Sequence, residues 1–235
     1  MARLSLQAKK ELALNLISVL EQTYPNLEMT LNYRDAWELL VGGILGAQTT
    51  DEQVNRVTAT LFVDYPTVYD FAAASLKEIT EAIRTVGLYR NKAKFLSGSA
   101  KIIVEKHDGI VPQSREELLA LPGVGPKVAS LVRGDYYQIP AVVVDTHCGR
   151  ISRLLGLADK TDPRSIELEL MKVLPEMAWI KWGHFMVTHG REYCKARCRN
   201  CLACPLSDLC QYPKRKTVQK ELIAARQQNQ ESGCF

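Results

Sequence analysis

Apolar residues recur at intervals of three and four along most of the chain, the spacing of helices that bury one face. The first run ends before Pro25, and the second begins at Asp35 and is broken by residues 46–51,. Thr50 or Asp51 is predicted to cap the next helix. The apolar positions that mark the predicted helices are Leu12, Leu16, Val19 and Leu20; Trp37, Leu40, Val41, Ile44 and Leu45; Val54, Val57 and Leu61; Leu76, Ile79, Ile83 and Val86; Ala93, Leu96, Ala100 and Ile103; and Ile166, Leu168, Leu170, Met171 and Leu174.

A β-branched apolar run at 139–144 is the main exception to this helical pattern. A single strand would have no partner, so the run is interpreted as a buried connector. Ser114 is predicted to cap a short helix ending at Leu121, and Asp162 followed by Pro163 predicts another helix start. The pattern therefore predicts an all-α fold.

Composition and charge limit the class of protein but do not indicate a function. The chain has 235 residues, 46% of them hydrophobic, and a formal net charge of +4. This content supports a packed core, and the mild basicity alone is equally typical of an ordinary protein surface. No apolar stretch reaches the roughly 20 residues of a membrane span, and the first residues lack a signal-peptide pattern. The expected location is cytoplasmic.

Five of the seven cysteines lie between Cys194 and Cys210. In a reducing compartment such clustering indicates a metal site rather than disulfides. Four thiolates can hold a [4Fe–4S] cluster or a tetrahedral zinc ion, and the spacing alone favours the cluster only modestly. Cys198 can replace Cys194 in the ligand pattern. The preferred ligands are Cys194, Cys201, Cys204 and Cys210.

The loop between the first two predicted ligands is basic, since Lys195, Arg197 and Arg199 lie within it. A bound metal group would hold this loop rigid, which lowers the entropic cost of binding a phosphate backbone. The alternative is a solvated basic loop without a partner.

Residues 118–129 predict two helices joined by a tight glycine turn. Gly123 and Gly125 allow the backbone to approach a phosphate closely and are able to adopt positive φ angles. Pro126 suits the first turn of the second helix, where free N–H groups favour anions. Lys127 follows directly. This segment resembles the helix–hairpin–helix motif, which binds DNA backbone without reading sequence.

The order of the motifs extends this resemblance to most of the chain. Segments 47–51 and 86–89 precede the hairpin, the segment 144–147 follows it, and the cysteine pattern comes last. In this order and spacing the chain resembles the endonuclease III family, within the helix–hairpin–helix glycosylase superfamily. The similarity covers roughly residues 10 to 212.

The resemblance implies an architecture of two helical lobes flanking a DNA-binding cleft. Residues 29–139 are expected to form a helical bundle with the hairpin at about 114–135. Residues 1–28 and 140–212 are expected to form a discontinuous second domain that holds the cluster. Residues 213–235 are expected to be a C-terminal tail.

The resemblance also implies residue roles. Lys127 matches the nucleophilic lysine of the family, and Asp145 matches its catalytic aspartate. Gln48 and Leu88 match residues that fill the gap left by a flipped nucleotide. Pro126 departs from the pattern, because members often carry a basic residue there. The four preferred cysteines match the [4Fe–4S] ligands, which leaves Cys198 as an additional thiol.

The implied function is a bifunctional DNA glycosylase and abasic-site lyase of base excision repair. The enzyme is expected to remove oxidised pyrimidines from duplex DNA and to cut 3′ of the abasic site by β-elimination through a lysine Schiff base. Its expected partner is double-stranded DNA that contains damaged bases or abasic sites, and the expected state is a monomer without membrane attachment.

Without the resemblance to the family, the residues themselves allow other roles. Lys127 is equally suited to bind a phosphate, and Asp145 to cap a helix. For Gln48 and Leu88 the simpler alternatives are a surface glutamine and a core leucine. A monofunctional glycosylase, which generally lacks the lysine, and a non-catalytic DNA-binding sensor are the rival functions.

Overall fold

The computed structural model describes residues 4–27 and 29–212, and the predicted tail at 213–235 lies outside this part of the chain. The described residues form α-helices and turns without a β-strand, which confirms the all-α prediction. The helices are α1 (Leu6–Thr23), α2 (Ala36–Leu45), α3 (Asp51–Asp64), α4 (Val68–Ala73), α5 (Leu76–Ala82), α6 (Tyr89–His107), α7 (Arg115–Ala120), α8 (Pro126–Leu131), α9 (Thr146–Leu155), α10 (Pro163–Val173) and α11 (Trp179–Glu192).

Polar side chains begin several of these helices where the sequence predicts a helix start. The side chains of Asp35, Thr50 and Asp162 accept hydrogen bonds from backbone N–H groups in the first turns of α2, α3 and α10. These bonds satisfy donors that have no partner inside the helix. The two candidates for the α3 cap are thereby resolved in favour of Thr50.

Three local features differ from the pattern-based expectation. Helix α4 was not predicted, although Thr67 and Asp70 form a reciprocal capping box at its start,. Helix α5 ends at Ala82, before the predicted Ile83 and Val86, which are buried in the turns that follow. A π-helical segment, Val132–Tyr136, extends α8.

The described residues divide into two compact units. One unit is Met29–Ala141, and the other combines residues up to 27 with residues from Val142 onward. The expected helical bundle, residues 29–139, begins where the unit Met29–Ala141 begins and ends two residues before it. None of the helices is long and apolar enough to cross a membrane, within the part of the chain that the structure describes.

Helices α2 and α6 lie at the centre of the unit Met29–Ala141. Trp37 of α2 contacts Phe71 of α4 edge to face, with ring centroids 5.1 Å apart,. Gly43 of α2 allows close approach to Val128 of α8, because a Cβ at Gly43 would lie 3.0 Å from a Val128 methyl group. Helix α8, which begins the second half of the predicted hairpin, is therefore packed directly against α2.

Helices α1, α9, α10 and α11 enclose the core of the other unit. Trp182 of α11 is fully buried and donates its indole N–H to Ser152 Oγ of α9 at 3.0 Å. The predicted connector at 139–144 is non-helical as expected, but only residues 141–143 are buried, and Pro140 is exposed. Gly183 lets α11 approach Val143 closely, which fixes the chain just before Asp145.

Candidate functional site

The glycine turn between α7 and α8 depends on one glycine. Gly123 has φ of +77°, and a Cβ there would lie 2.7 Å from the Phe95 side chain of α6. Both conditions exclude larger residues. Gly125 differs from the expectation of positive φ: it has an extended backbone, with φ of −96°, and is the N-cap residue of α8. A Cβ at Gly125 would have no heavy atom within 4 Å.

Lys127 is the second residue of α8 and is exposed to solvent. Pro126, the first residue, is exposed as well, and its fixed φ suits a helix start,. The next two residues, Val128 and Ala129, are buried, so α8 presents the lysine on its outer face while its inner face meets α2.

Gln48 and Leu88 share an unusual backbone conformation. Their φ angles are +56° and +59°, in the left-handed region that non-glycine residues rarely occupy,. Both side chains are exposed, and Leu88 retains 55% of its accessible surface. The structure brings the two loops together, since a Cβ at Gly87 would lie 3.7 Å from the carbonyl oxygen of Gln48. Strained residues of this kind cluster at functional sites.

Lys92 lies beneath these two loops and was missed by sequence reasoning. Only 3% of it is exposed, and its ammonium group donates to the carbonyl oxygens of Leu45 (2.8 Å) and Ala47 (2.6 Å) and to Thr49 Oγ1 (3.0 Å). Burial lowers the pKa of Lys92,. The helical spacing of Lys92 gave no signal of burial, because lysine is normally a surface residue.

A single face of α6 connects the Gln48 loop with the hairpin. Lys92, Phe95 and Ser99 are spaced by three and four residues, so they lie on the same side of the helix. Phe95 packs against Gly123, and Ser99 Oγ donates to the carbonyl oxygen of Pro122 at 2.8 Å. Helix α6 therefore contacts the glycine turn and, at its own start, carries Leu88.

Asp145 is the N-cap residue of α9, in the other unit. Its Oδ1 accepts a hydrogen bond from the Cys148 backbone N–H at 2.7 Å, and the residue is half-buried. The capping role that the sequence left open is therefore present. Lys127 and Asp145 belong to different units.

The four preferred cysteines line one cavity in the second unit. Helix α9, the end of α11 and residues 193–212 surround it, and Ile151, Leu155 and Leu206 form its apolar wall. Burial raises the pKa of the Cys194 and Cys201 thiols, and it raises the pKa of Cys204 and Cys210 to about 12. Four neutral thiols in such a wall become stable thiolates only beside compensating positive charge.

Two side chains near the cysteines were not predicted to belong to this site. His189 is 2% exposed, its Nε2 lies 3.5 Å from Cys204 Sγ, and burial lowers its pKa to about 4. Arg150 of α9 donates to the carbonyl oxygen of Cys194. His189 lies in α11, five residues before Cys194, but sequence reasoning assigned it no role at the cysteine site.

Cys198 has a different state from the preferred ligands. It is disulfide-bonded, whereas Cys194, Cys201, Cys204 and Cys210 are free thiols. Cys198 also does not line the cavity that the four preferred ligands share. Among residues 4–27 and 29–212, no three His, Cys, Asp or Glu side chains converge on a single-ion site.

The three basic residues of the loop between Cys194 and Cys201 differ in their exposure to solvent. Lys195 and Arg197 are exposed, whereas Arg199 is half-buried. The Arg199 guanidinium lies over the Tyr212 ring, 5.0 Å from its centroid, and its charge opposes the burial effect on the pKa of Cys194. Arg199 is therefore held beside the cysteine cavity, which the sequence did not indicate.

Comparisons with known proteins agree with this arrangement. A model of the HhH-GPD superfamily of base excision DNA repair proteins matches residues 41–176. Endonuclease III of a Synechocystis species is 44% identical over 204 residues, covering 86% of this chain and 93% of the relative. Endonuclease III of Bacillus subtilis is 42% identical over 188 residues, covering 80% and 86%. The structure of a trapped endonuclease III–DNA covalent intermediate aligns with a TM-score of 0.83 at 37% identity, covering 91% of this chain and 99% of that one.

Proposed function

The chain belongs to the endonuclease III family of the HhH-GPD base excision repair superfamily, and we propose that it is a bifunctional DNA glycosylase and abasic-site lyase acting on oxidised pyrimidines. The observation that carries this proposal is Lys127, exposed on the outer face of α8 directly after the glycine turn. The solved endonuclease III complexes contain DNA, which supports double-stranded DNA as the proposed partner.

The proposed chemistry begins with the neutral amine of Lys127. The amine attacks the sugar C1′, and the bond from C1′ to the damaged base breaks with its electron pair leaving on the base. The nitrogen then loses a proton, and its lone pair forms the C1′=N bond as the C1′–O4′ bond breaks, with O4′ taking up a proton. The open-chain iminium that results acidifies the C2′ proton. Loss of that proton forms a C2′–C3′ double bond, and the C3′–O bond breaks with the phosphate as leaving group. One lysine thus supports both base removal and 3′ strand cleavage.

Asp145 is proposed to act on the same sugar as a carboxylate. It accepts a proton or stabilises the positive charge that develops as the base departs. The hydrogen bond from the Cys148 N–H fixes the side-chain orientation, since that donor belongs to the first turn of α9. Helix capping and catalysis are therefore compatible in one residue.

Gln48 and Leu88 are proposed to occupy the duplex after the damaged nucleotide leaves the stack. Extruding a base costs a few kcal/mol, and inserted side chains offset the lost stacking. The adjacency of the two loops supports this role, as does the exposure of both side chains.

The four free thiols are proposed to hold a [4Fe–4S] cluster. When bound, this group supplies the positive charge that the buried thiolates require and cross-links residues 193–212 to each other. Lys195, Arg197 and Arg199 lie between its first two ligands and are proposed to contact DNA phosphates, with Gly123 and Gly125 at the hairpin. Absorbance near 400 nm with iron and sulfide analysis tests the assignment, and a colourless protein with bound zinc would overturn it.

Borohydride trapping on duplex DNA that contains thymine glycol tests the nucleophile. The wild-type protein is expected to release the base and form a covalent complex, and Lys127→Ala is expected to lose both by at least about a thousandfold, because no other group replaces the attacking amine. Lys101→Ala, an exposed lysine of α6, is the matched control. A trapped complex with Lys127→Ala contradicts the mechanism, and DNA binding without base release by the wild-type protein favours the sensor function.

The substitution Asp145→Asn separates catalysis from capping. Asparagine caps helices as well as aspartate does, so the thermal midpoint is expected to stay unchanged. Base excision is expected to fall by about a hundredfold or more, because the carboxylate charge is lost. Asp145→Ala should in addition lose about 1 kcal/mol of stability. Normal excision by Asp145→Asn would reduce the residue to a helix cap.

A further inference from the structure

The cation of Lys92 is buried among acceptors that match its geometry. An ammonium group has three donors, and Lys92 places them on the Leu45 and Ala47 carbonyls and on Thr49 Oγ1,. All three acceptors are neutral. A buried cation without such partners would be strongly unfavourable, and even here burial lowers its pKa,. The site is therefore built to hold this ammonium group.

The three acceptors belong to the end of α2 and the loop that carries Gln48. Leu45 is the last residue of α2, so its carbonyl has no partner further along the helix,. The negative end of the α2 dipole also favours a cation at this point. Lys92, one turn into α6, thereby connects the Gln48 loop to the helix whose N-cap residue is Leu88.

We infer that Lys92 is a positioning residue, which holds the Gln48 loop against the start of α6 so that Gln48 and Leu88 project together before DNA binds. Both residues occupy left-handed conformations, which persist only where surrounding contacts enforce them,. An ordered pair binds a duplex gap at a lower entropic cost than two mobile loops. This inference rests on the gap-filling role in the proposed function.

The test compares duplex and single-stranded DNA that contain the same abasic site. Only the duplex has an opposing strand whose stacking must be restored after extrusion. Lys92→Met keeps an unbranched side chain up to the Cε position and removes the ammonium group with its three donors. We expect its cleavage rate to fall at least tenfold on duplex DNA and to stay within twofold of wild type on single-stranded DNA. Lys101→Met, an exposed position on the same helix, is expected to match wild type on both substrates.

Hydrogen exchange provides a readout that does not depend on activity. In Lys92→Met the amides of residues 46–50 are expected to exchange faster, whereas in Lys101→Met they are expected to behave as in wild type. Unchanged exchange overturns the inference, as does an equal loss of cleavage on both substrates. If Lys92→Met does not fold, Thr49→Val removes one acceptor, and the same two measurements decide. A wild-type protein that cleaves neither substrate refutes the proposed function, while exchange at residues 46–50 still decides the role of Lys92.

Discussion

In the unit Met29–Ala141, the protein itself supplies the contacts that hold the candidate DNA-binding residues. Lys92 binds the Gln48 loop, and Phe95 and Ser99 support the glycine turn at Gly123. Residues 193–212 are different, because beyond α11 they contain turns and an isolated β-bridge between Cys194 and Arg199. Their four thiols are buried or half-buried and have raised pKa values, and the nearby charges of Arg150 and Arg199 offset only part of the burial effect at Cys194.

This difference indicates two sources of order within one enzyme. The hairpin region is ordered by donors and acceptors that the chain carries, so it should tolerate the loss of any external group. The cysteine region should depend on the group that its thiolates bind, because metal binding and folding are coupled when ligands must first deprotonate. Substitutions that remove one source of order should leave the other region intact.

The largest effect should follow from Cys210→Ala. Loss of one ligand is expected to abolish absorbance near 400 nm and to lower the thermal midpoint by about 10 °C, since tight binding to the native state contributes on the order of 4 kcal/mol. Amides of α9 and α11 should lose protection from hydrogen exchange, whereas those of α2 and α6 should keep it. Differential scanning calorimetry and exchange measurements check both expectations.

Cys148→Ala is the matched control for this loss. Cys148 is a fully buried free thiol of α9 that does not line the cysteine cavity. Its removal should cost about 1 kcal/mol in packing and leave the absorbance unchanged. Equal loss of protection in α2 and α9 after Cys210→Ala would show that the two regions do not differ as described.

A smaller effect is expected from Leu88→Gly, and it should separate stability from activity. Glycine relieves the left-handed conformation, worth about 1–2 kcal/mol, and loses about 0.5–1 kcal/mol through backbone entropy. Stability should therefore remain equal or rise slightly in thermal unfolding. Cleavage of duplex abasic DNA should fall by about tenfold to a hundredfold, because the stacking lost on base extrusion is no longer offset.

Asp108→Gly provides the comparison for Leu88→Gly. Asp108 also has a positive φ, of +52°, and ends the same helix that Leu88 begins. Its substitution should change stability in the same direction and leave duplex cleavage unaltered. Reduced duplex cleavage in both variants would indicate that α6 as a whole, rather than the Leu88 side chain, supports the activity.

The helices were largely predictable, because periodicity and capping residues act locally. Asp35, Thr50 and Asp162 begin helices as expected. Helix α4 was missed although Thr67 and Asp70 carry a capping signal, since its six residues are too short to show a period. The positive φ at Gly123 follows from its residue type, but that of Gln48 and Leu88 arises from tertiary contacts that no local pattern records.

Residues of the candidate site could be predicted only where residue type and spacing along the chain form a recognisable motif. The cysteine spacing and the Gly123 turn identified both regions. Lys92 and His189 were missed for the same physical reason: each is a polar side chain buried by partners distant in sequence. Resemblance to a family likewise suggested no role for either residue.

The smallest effect should come from Pro126→Lys, which tests whether the hairpin region reaches phosphate. Pro126 is exposed at the first position of α8. Members of the endonuclease III family often carry a basic residue at this position. An added lysine should raise affinity for an uncleavable abasic-analogue duplex by less than about 1 kcal/mol and steepen the salt dependence by about one phosphate contact. Stability should fall slightly, because a cation at a helix start opposes the helix dipole and the fixed proline φ is lost.

Pro126→Ala separates the charge from the loss of proline in this measurement. Both variants lose the fixed φ, but only the lysine variant is expected to change the slope of log affinity against log salt in fluorescence-anisotropy titrations. Equal slopes for the two variants would mean that position 126 does not approach the DNA backbone. Phosphate contact would then be assigned to the exposed Lys195 and Arg197. In that case residues 193–212, which depend on the group that the thiolates bind, would contribute more of the salt-dependent affinity for DNA than the hairpin does.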